Sequence, residues 1–265
     1  MGQTPTLDLS PRASRLRGRP EPPYAALASD YDRLVGDALF PVIRDSFEWA
    51  VDRLGLRFES AADVGCGTGT FLGYLLGYRV PLIGVDRSPA MLGVAAKRLR
   101  GTGVRLLLQD VRALELPQPV DLITCNGNTL NYLLAESDLI AVLTRIRNHL
   151  RAGGYLIADL LTGAPEDTAR PAVQTWLHSG TRASRWRARS EPRRGLTRVD
   201  VDLGRRTGRG WRWGREVHVQ RWWPLARLRL ILDRVGLRLL ALRCLQGSLG
   251  GSEAAAWVKL VAVRP

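Results

Sequence analysis

Lysine is almost missing from this chain: Lys97 and Lys259 stand alone among 39 basic residues, and the other 37 are arginine. The net charge of +14 therefore reflects a one-residue bias. Such a bias follows as readily from coding composition as from a ligand, so nucleic acid is a possible partner but not the favoured one. Cysteine is scarce too. Cys66, Cys125 and Cys244 are odd in number and widely spaced, with no CxxC pair, so neither a disulfide framework nor a zinc site is expected. The three histidines are equally scattered, so no metal is expected, and a reducing cytoplasm is the compartment that fits. No stretch approaches the ~18–20 apolar residues of a membrane span, and no membrane partner is expected. Arg12, Arg15, Arg17 and Arg19 lead into no apolar run, which argues against a secretory signal. Residues 1–23 read instead as a disordered basic tail rich in proline and arginine.

What is present is an alternation of buried strands and helices. Leu39, Val42, Ile43, Phe47, Ala50, Val51 and Leu54 recur at helical spacing, and Gly55 stops that helix. Short apolar runs at Ser60–Val64, Val80–Val85, Val104–Leu108, Val120–Cys125 and Tyr155–Leu160 predict five strands. Helical segments stand between them, one opened by Ser88 and Pro89, another spanning Glu136–Leu150. Gly153 and Gly154 predict a turn before the fifth strand. Strands of continuous apolar character imply a parallel sheet covered on both faces. Between Thr175 and Arg221 the pattern changes to alternation, as in Val199, Val201 and Leu203 with Asp200 and Asp202, which predicts antiparallel strands. A helix over Pro224–Val235 and strands at Leu237–Leu242 and Ala256–Val263 complete the reading.

The chemistry concentrates at strand ends. The first strand closes on an acid, Asp63, and enters the loop Gly65-Cys66-Gly67-Thr68-Gly69, where glycines let the chain turn and a ligand lie on the backbone. The spacing is neither the GxGxxG of dinucleotide sites nor a phosphate loop. The second strand ends in Asp86, 21 positions after Gly65, about where α/β nucleotide sites place an acid on ribose hydroxyls. The third ends in Gln109-Asp110-Val111, where a carboxylate and the next backbone N–H suit an adenine edge. Each acid alone is as easily a solvated turn residue; three successive strand ends of the required chemistry favour a ligand site.

Together DVGCGTGTF (63–71), GVDRSPAML (84–92), QDV (109–111), DLITCNGNTLNYL (121–133) and LRAGGYLIADL (150–160) resemble the class I S-adenosylmethionine-dependent methyltransferases. YAALASDYDRL (24–34) and CNGNTLNYL resemble the branch acting on small molecules, including sugar and glycine N-methyltransferases. The resemblance implies a Rossmann-like, seven-stranded, mostly parallel sheet of order 3-2-1-4-5-7-6 over residues 24–265, with an antiparallel β lid inserted at about 172–222. It implies S-adenosylmethionine as cofactor, with S-adenosylhomocysteine as product. The cofactor-binding set would be Tyr24, Tyr31, Asp63, Gly65, Cys66, Gly67, Gly69, Asp86, Arg87, Met91, Asp110, Val111 and Asn126. In that set the glycine loop takes the methionine part, Asp86 the ribose, Asp110 with Val111 the adenine, and Met91 packs on the ring.

Methyl transfer from a sulfonium is an in-line displacement, so alignment is the main requirement, and a base is needed only if the nucleophile arrives protonated. His218 is the candidate, sharing a strand face with Glu216 and Gln220; the plainer alternative is a surface histidine paired with Glu216. The expected activity is methylation of a nitrogen or oxygen of a small molecule. Two rivals are an RNA methyltransferase whose lid arginines and Trp186, Trp211 and Trp213 meet nucleic acid, and a non-catalytic cofactor-binding module.

Overall fold

In the computed structural model, which describes residues 20–163, 173–245 and 257–265, the apolar runs assemble into one seven-stranded sheet. The basic tail falls outside the described residues as far as residue 19. The first five strands are β1 (Ala61–Val64), β2 (Leu82–Asp86), β3 (Arg105–Leu108), β4 (Val120–Cys125) and β5 (Leu150–Leu161). Four lid strands follow: β6 (Val173–Ser179), β7 (Arg182–Glu191), β8 (Leu196–Thr207) and β9 (Gly210–Arg221). The last two, β10 (Arg238–Cys244) and β11 (Trp257–Val263), return to the main sheet. The order β10-β11-β5-β4-β1-β2-β3 is the expected one. β1 pairs in parallel with β2 and β4, and β11 runs antiparallel between β5 and β10.

Helices cover both faces, as strands buried on both sides require. α1 (Asp37–Leu54), α2 (Thr70–Leu75) and α3 (Pro89–Arg98) place Phe47, Phe71, Leu72, Leu75 and Ala95 against one face. α4 (Glu136–His149) and α5 (Leu225–Val235) place Leu139, Leu143, Ile146, Leu228 and Leu232 against the other. Ser88 caps α3 by accepting from the Met91 amide, with Pro89 at the first helical position. Gly153 and Gly154 do not form a turn ahead of a strand. They lie inside β5, where the register against β4 shifts between Val120 and Leu122. Gly153 has φ +77°, and a Cβ on Gly154 would stand 2.9 Å from the Arg151 carbonyl oxygen, so the pair makes a bulge within one long strand.

The lid is a separate antiparallel sheet, β6-β7-β8-β9. Its strict pairing puts Ser184, Val201, Glu216 and His218 on one face, all buried. On the other face Arg185, Arg187 and Arg215 converge on the fully buried carboxylate of Asp202, and Trp213 lies flat on Gly204. Residues 20–36 cross from lid to main sheet. Glu21 donates its amide to the Arg215 carbonyl at 2.9 Å, Asp30 pairs with Arg182 of β7, and a π-helical turn over Asp32–Gly36 leads into α1. Asp32 there accepts from Thr68 (2.6 Å) and Arg98 (2.6 Å), which fastens this strap to the glycine loop.

Among the described residues Asp202 is the acid that Arg185, Arg187 and Arg215 share, so its removal takes away the carboxylate that pairs with all three. Asp202→Ala should cost about 2 kcal/mol and lower Tm by roughly 4–8 °C in a thermal melt. An unchanged Tm would show that the arginines are held by solvent rather than by this carboxylate.

Candidate active site

β1 is the switch point of the sheet, with β2 on one side and β4 on the other, and a crevice opens beyond the carboxyl ends of these strands. The crevice has a volume of about 310 Å³. The strap closes one side of it through Tyr24, Tyr31, Asp32 and Gly36. Of the thirteen residues expected to hold a cofactor, twelve line this cleft. Gly69 does not: at φ +75° it starts α2 and packs on α3, and a Cβ there would stand 3.0 Å from Ala95 and from Leu99. Its glycine serves helix packing behind the loop.

The loop is shaped for close approach. Gly65 has φ +78°, and a Cβ there would collide with Thr129 Oγ1 at 2.3 Å. Gly67 has φ +54° with nothing within 4 Å of a Cβ position, so its backbone faces open space. Asp86 Oδ2 accepts the Gly67 amide and Oδ1 accepts the Ser88 amide, both at 2.8 Å, which sets the carboxylate at the cleft edge with lone pairs to spare. Burial raises its pKa, while these amides and Arg87 act in the opposite sense. Asp110 accepts from Arg112 at 2.7 Å, and that guanidinium, outweighing partial burial, holds its carboxyl below the usual range.

A second layer lies under the cleft floor. Lys259 of β11, one of the two lysines, is fully buried and donates to Asn126 Oδ1 at 2.7 Å, with Asp159 Oδ2 3.5 Å away. Asp159 also accepts the amides of Gly127 (3.1 Å) and Asn128 (2.6 Å), which fixes the turn after β4. With Oδ1 engaged by Lys259, the Asn126 amide turns its Nδ2 away, and that buried donor has no partner. A buried donor without a partner is costly, and a ligand oxygen is the natural acceptor for it. Burial lowers the Lys259 pKa, opposed by Asp159.

Tyr132, in the helical turn Thr129–Tyr132 after β4, joins the cleft to the lid. Its hydroxyl lies 2.7 Å from that of Tyr24 and 2.8 Å from His218 Nδ1. His218 Nε2 is 3.1 Å from Glu216 Oε2. His218 is thus neither in the cleft lining nor on an exposed sheet. It is 5% exposed, behind Tyr132, with both ring nitrogens engaged. Glu216, fully buried, also accepts the amides of Tyr24 (2.7 Å), Ala26 (2.6 Å) and Leu27 (2.8 Å). The sequence reading missed Tyr132, Lys259, Asp159 and the Asp32–Arg98 pair. Only Lys259 carried a signal, a lone lysine in a strand of an arginine-rich chain. Among the described residues no cluster of histidine, cysteine or acid has a metal-binding arrangement, and no helix is long and apolar enough to cross a membrane.

This strand order, with a glycine loop and an acid at successive strand ends, defines the class I methyltransferase fold. Residues 61–154, from β1 into β5, match the family described as "Methyltransferase domain". Among curated relatives, dTDP-4-amino-2,3,4,6-tetradeoxy-D-glucose N,N-dimethyltransferase of Saccharopolyspora spinosa is 32% identical over 101 residues, 38% of this chain and 40% of that protein. The chain spans about half the length of the curated relatives it matches, between 40% and 57%. A crystal structure of an S-adenosylmethionine-dependent methyltransferase from Clostridium acetobutylicum shares the fold at TM-score 0.76 and 23% identity, covering 91% of this chain and 98% of that one. So does CalS10, an amino pentose methyltransferase from Micromonospora echinaspora solved with S-adenosylmethionine bound, at TM-score 0.58 and 22% identity over 91% of this chain and 89% of that one.

Asp63 at the cleft floor accepts from Thr124 Oγ1 at 2.6 Å and is 2% exposed. Burial pushes its carboxyl up to about 7, only partly offset by that hydroxyl. The fold therefore binds this proton more tightly than the unfolded chain, whose aspartate titrates near about 3.9. Stability from this group is full below about pH 4 and is lost as pH rises through about 7. Relative to the parent, Asp63→Asn should gain on the order of 4 kcal/mol between about pH 4 and about pH 8 in urea titrations. Parallel stability curves for the two proteins would mean that Asp63 is ionised in the fold at low pH.

Proposed function

We propose that this chain transfers the methyl group of S-adenosylmethionine to a nitrogen or oxygen nucleophile of a small molecule. The carrying observation is convergence: the Gly65–Gly67 backbone, Asp86, Asp110 and Asn126 come from four strand ends and line one cleft. The open Gly67 backbone and the unpartnered Asn126 Nδ2 fit a ligand with a polar amino-acid end. Asp86 would take the ribose hydroxyls, Asp110 and Val111 the adenine edge, and Met91 and Arg87 would flank the base. Tyr24 and Tyr31 would cover the ligand from the strap. When bound, the cofactor supplies a methyl carbon activated by a sulfonium.

The chain's own part is to hold both partners in line and to keep water out. The strap does the second, fastened by Glu216 at its lid end and by Asp32 at the glycine loop. His218 is the base we assign where the nucleophile arrives protonated. The names of relatives acting on amino sugars support a small acceptor. Nucleic acid has less support, because Arg185, Arg187 and Arg215 are engaged by Asp202 and Arg182 by Asp30. A non-catalytic module has less support as well, since the glycine loop and both acids, Asp86 and Asp110, are present in the cleft lining. A reducing cytoplasm suits the free thiols of Cys66, Cys125 and Cys244.

Asp86→Ala should weaken S-adenosylmethionine binding by at least about 30-fold in calorimetry while the far-ultraviolet circular dichroism stays unchanged. Unaltered affinity in a folded variant would remove Asp86 from the ribose site.

A further inference from the structure

We propose that Tyr24, Tyr132 and His218 form a proton relay that discharges an ammonium group of the acceptor, so that the atom methylated is an amine nitrogen. This rests on the methyl-transfer reading of the same cleft. Tyr24 and Tyr132 line the cleft, and His218 and Glu216 stand behind them in the lid.

The direction of every hydrogen bond in the row is fixed by its last member. Both Glu216 oxygens accept backbone amides, three in all, so the carboxyl presents accepting lone pairs to His218. His218 must therefore carry its proton on Nε2, which leaves the Nδ1 lone pair facing Tyr132. Tyr132 donates its O–H to that nitrogen and accepts the O–H of Tyr24. All three protons point along the row toward Glu216. The Tyr24 oxygen is left with lone pairs of its own, on a residue that lines the cleft.

The step balances without any further reactant. An N–H bond of the acceptor ammonium breaks and its proton goes to the Tyr24 oxygen. The Tyr24 proton passes to Tyr132, and the Tyr132 proton to His218 Nδ1. The electron pair of the broken N–H bond remains on nitrogen as the nucleophile. The row ends with an imidazolium against the Glu216 carboxylate, and that proton later returns to water. Burial raises both phenols well above their ordinary range, so neither stands as a phenolate; each acts only by passing a proton on.

Proton matching selects the acceptor. Amines lose a proton at about 8 to 10 and imidazole accepts one near neutrality, a small gap, whereas an alcohol lies many powers of ten further away. The surroundings also suit a cation. The rings of Tyr31 and Tyr132 lie 5.8 and 5.9 Å from that of Tyr24. The charges facing the relay are Glu216 from β9, Asp86 from β2 toward Tyr24, and Asp32 and Asp159 toward Tyr31. Arg87, 5.5 Å over the Tyr132 ring, is the opposing cation.

Sinefungin and S-adenosylhomocysteine test this on the full chain without an identified acceptor. Sinefungin bears an amine where the sulfonium methyl would stand; S-adenosylhomocysteine has nothing there. Calorimetry from about pH 5.5 to about pH 8.5 gives the ratio of their affinities, in which any general loss of cleft affinity cancels. In the parent protein the sinefungin preference should rise at least about tenfold with pH, because the row can take a proton from the ligand amine only while its terminal Nδ1 lone pair is free. His218→Asn and Tyr132→Phe should each flatten the rise. A ratio independent of pH in the parent, or a rise that survives in Tyr132→Phe, overturns the relay. Failure of both ligands to bind overturns the methyl-transfer reading instead.

Discussion

The carboxylate of Glu216 is the interaction on which the rest of the site depends. It is buried on the inner face of the lid, and it gathers the amides of Tyr24, Ala26 and Leu27 together with the His218 imidazole. One charged group thereby joins the lid, the strap and the aromatic end of the cleft. A charge without water is tolerated only when its lone pairs are filled, and here four donors fill them. The cost appears in the backbone: Tyr24 sits at φ +68°, a conformation that side chains other than glycine rarely adopt. A residue held in such a conformation by its surroundings is pre-positioned, which is what its place in the cleft requires.

A second buried network repeats the logic on the other side. Lys259 and Asp159 come from adjacent antiparallel strands at the register Lys259↔Asp159. Together they orient the Asn126 amide and the turn that carries Thr129 and Tyr132. Thr129 in turn occupies the space that a side chain on Gly65 would need. The glycine loop, the turn after β4 and the last strand are therefore one packed unit, although more than 190 residues separate its ends in sequence. Lysine suits this place better than arginine, because a compact ammonium on a flexible stem fits where a planar fork of five donors would leave several unsatisfied.

The arginine excess also takes a different meaning in three dimensions. Read along the chain, the lid offers a row of cations and tryptophans. Folded, Arg185, Arg187 and Arg215 neutralise Asp202, Arg182 reaches Asp30 in the strap, and Arg198 pairs with Asp200. These residues hold the lid together and fasten it to the strap. Charge counted in a sequence says nothing about which charges cancel across strands.

The buried parallel strands and the crevice at their ends were legible in the sequence, because both rest on local signals; the order of the strands came from the resemblance to class I methyltransferases. Period and apolar continuity mark buried parallel strands, and a ligand in an open sheet must lie where those strands end, so Asp63, Gly65, Gly67, Asp86, Asp110 and Asn126 could be named from spacing and motif. Gly69 shows the edge of that legibility: a motif glycine can serve packing as well as a ligand, and only its neighbours Ala95 and Leu99 tell which. The tertiary structure alone decided the position of His218, which the strand pattern put on the correct face but could not place behind Tyr132. It alone decided the roles of Tyr132, Lys259 and Asp32. Their partners lie 86, 100 and 66 residues away and on other elements, and hydrogen bonds over such separations leave no periodicity for a sequence to display.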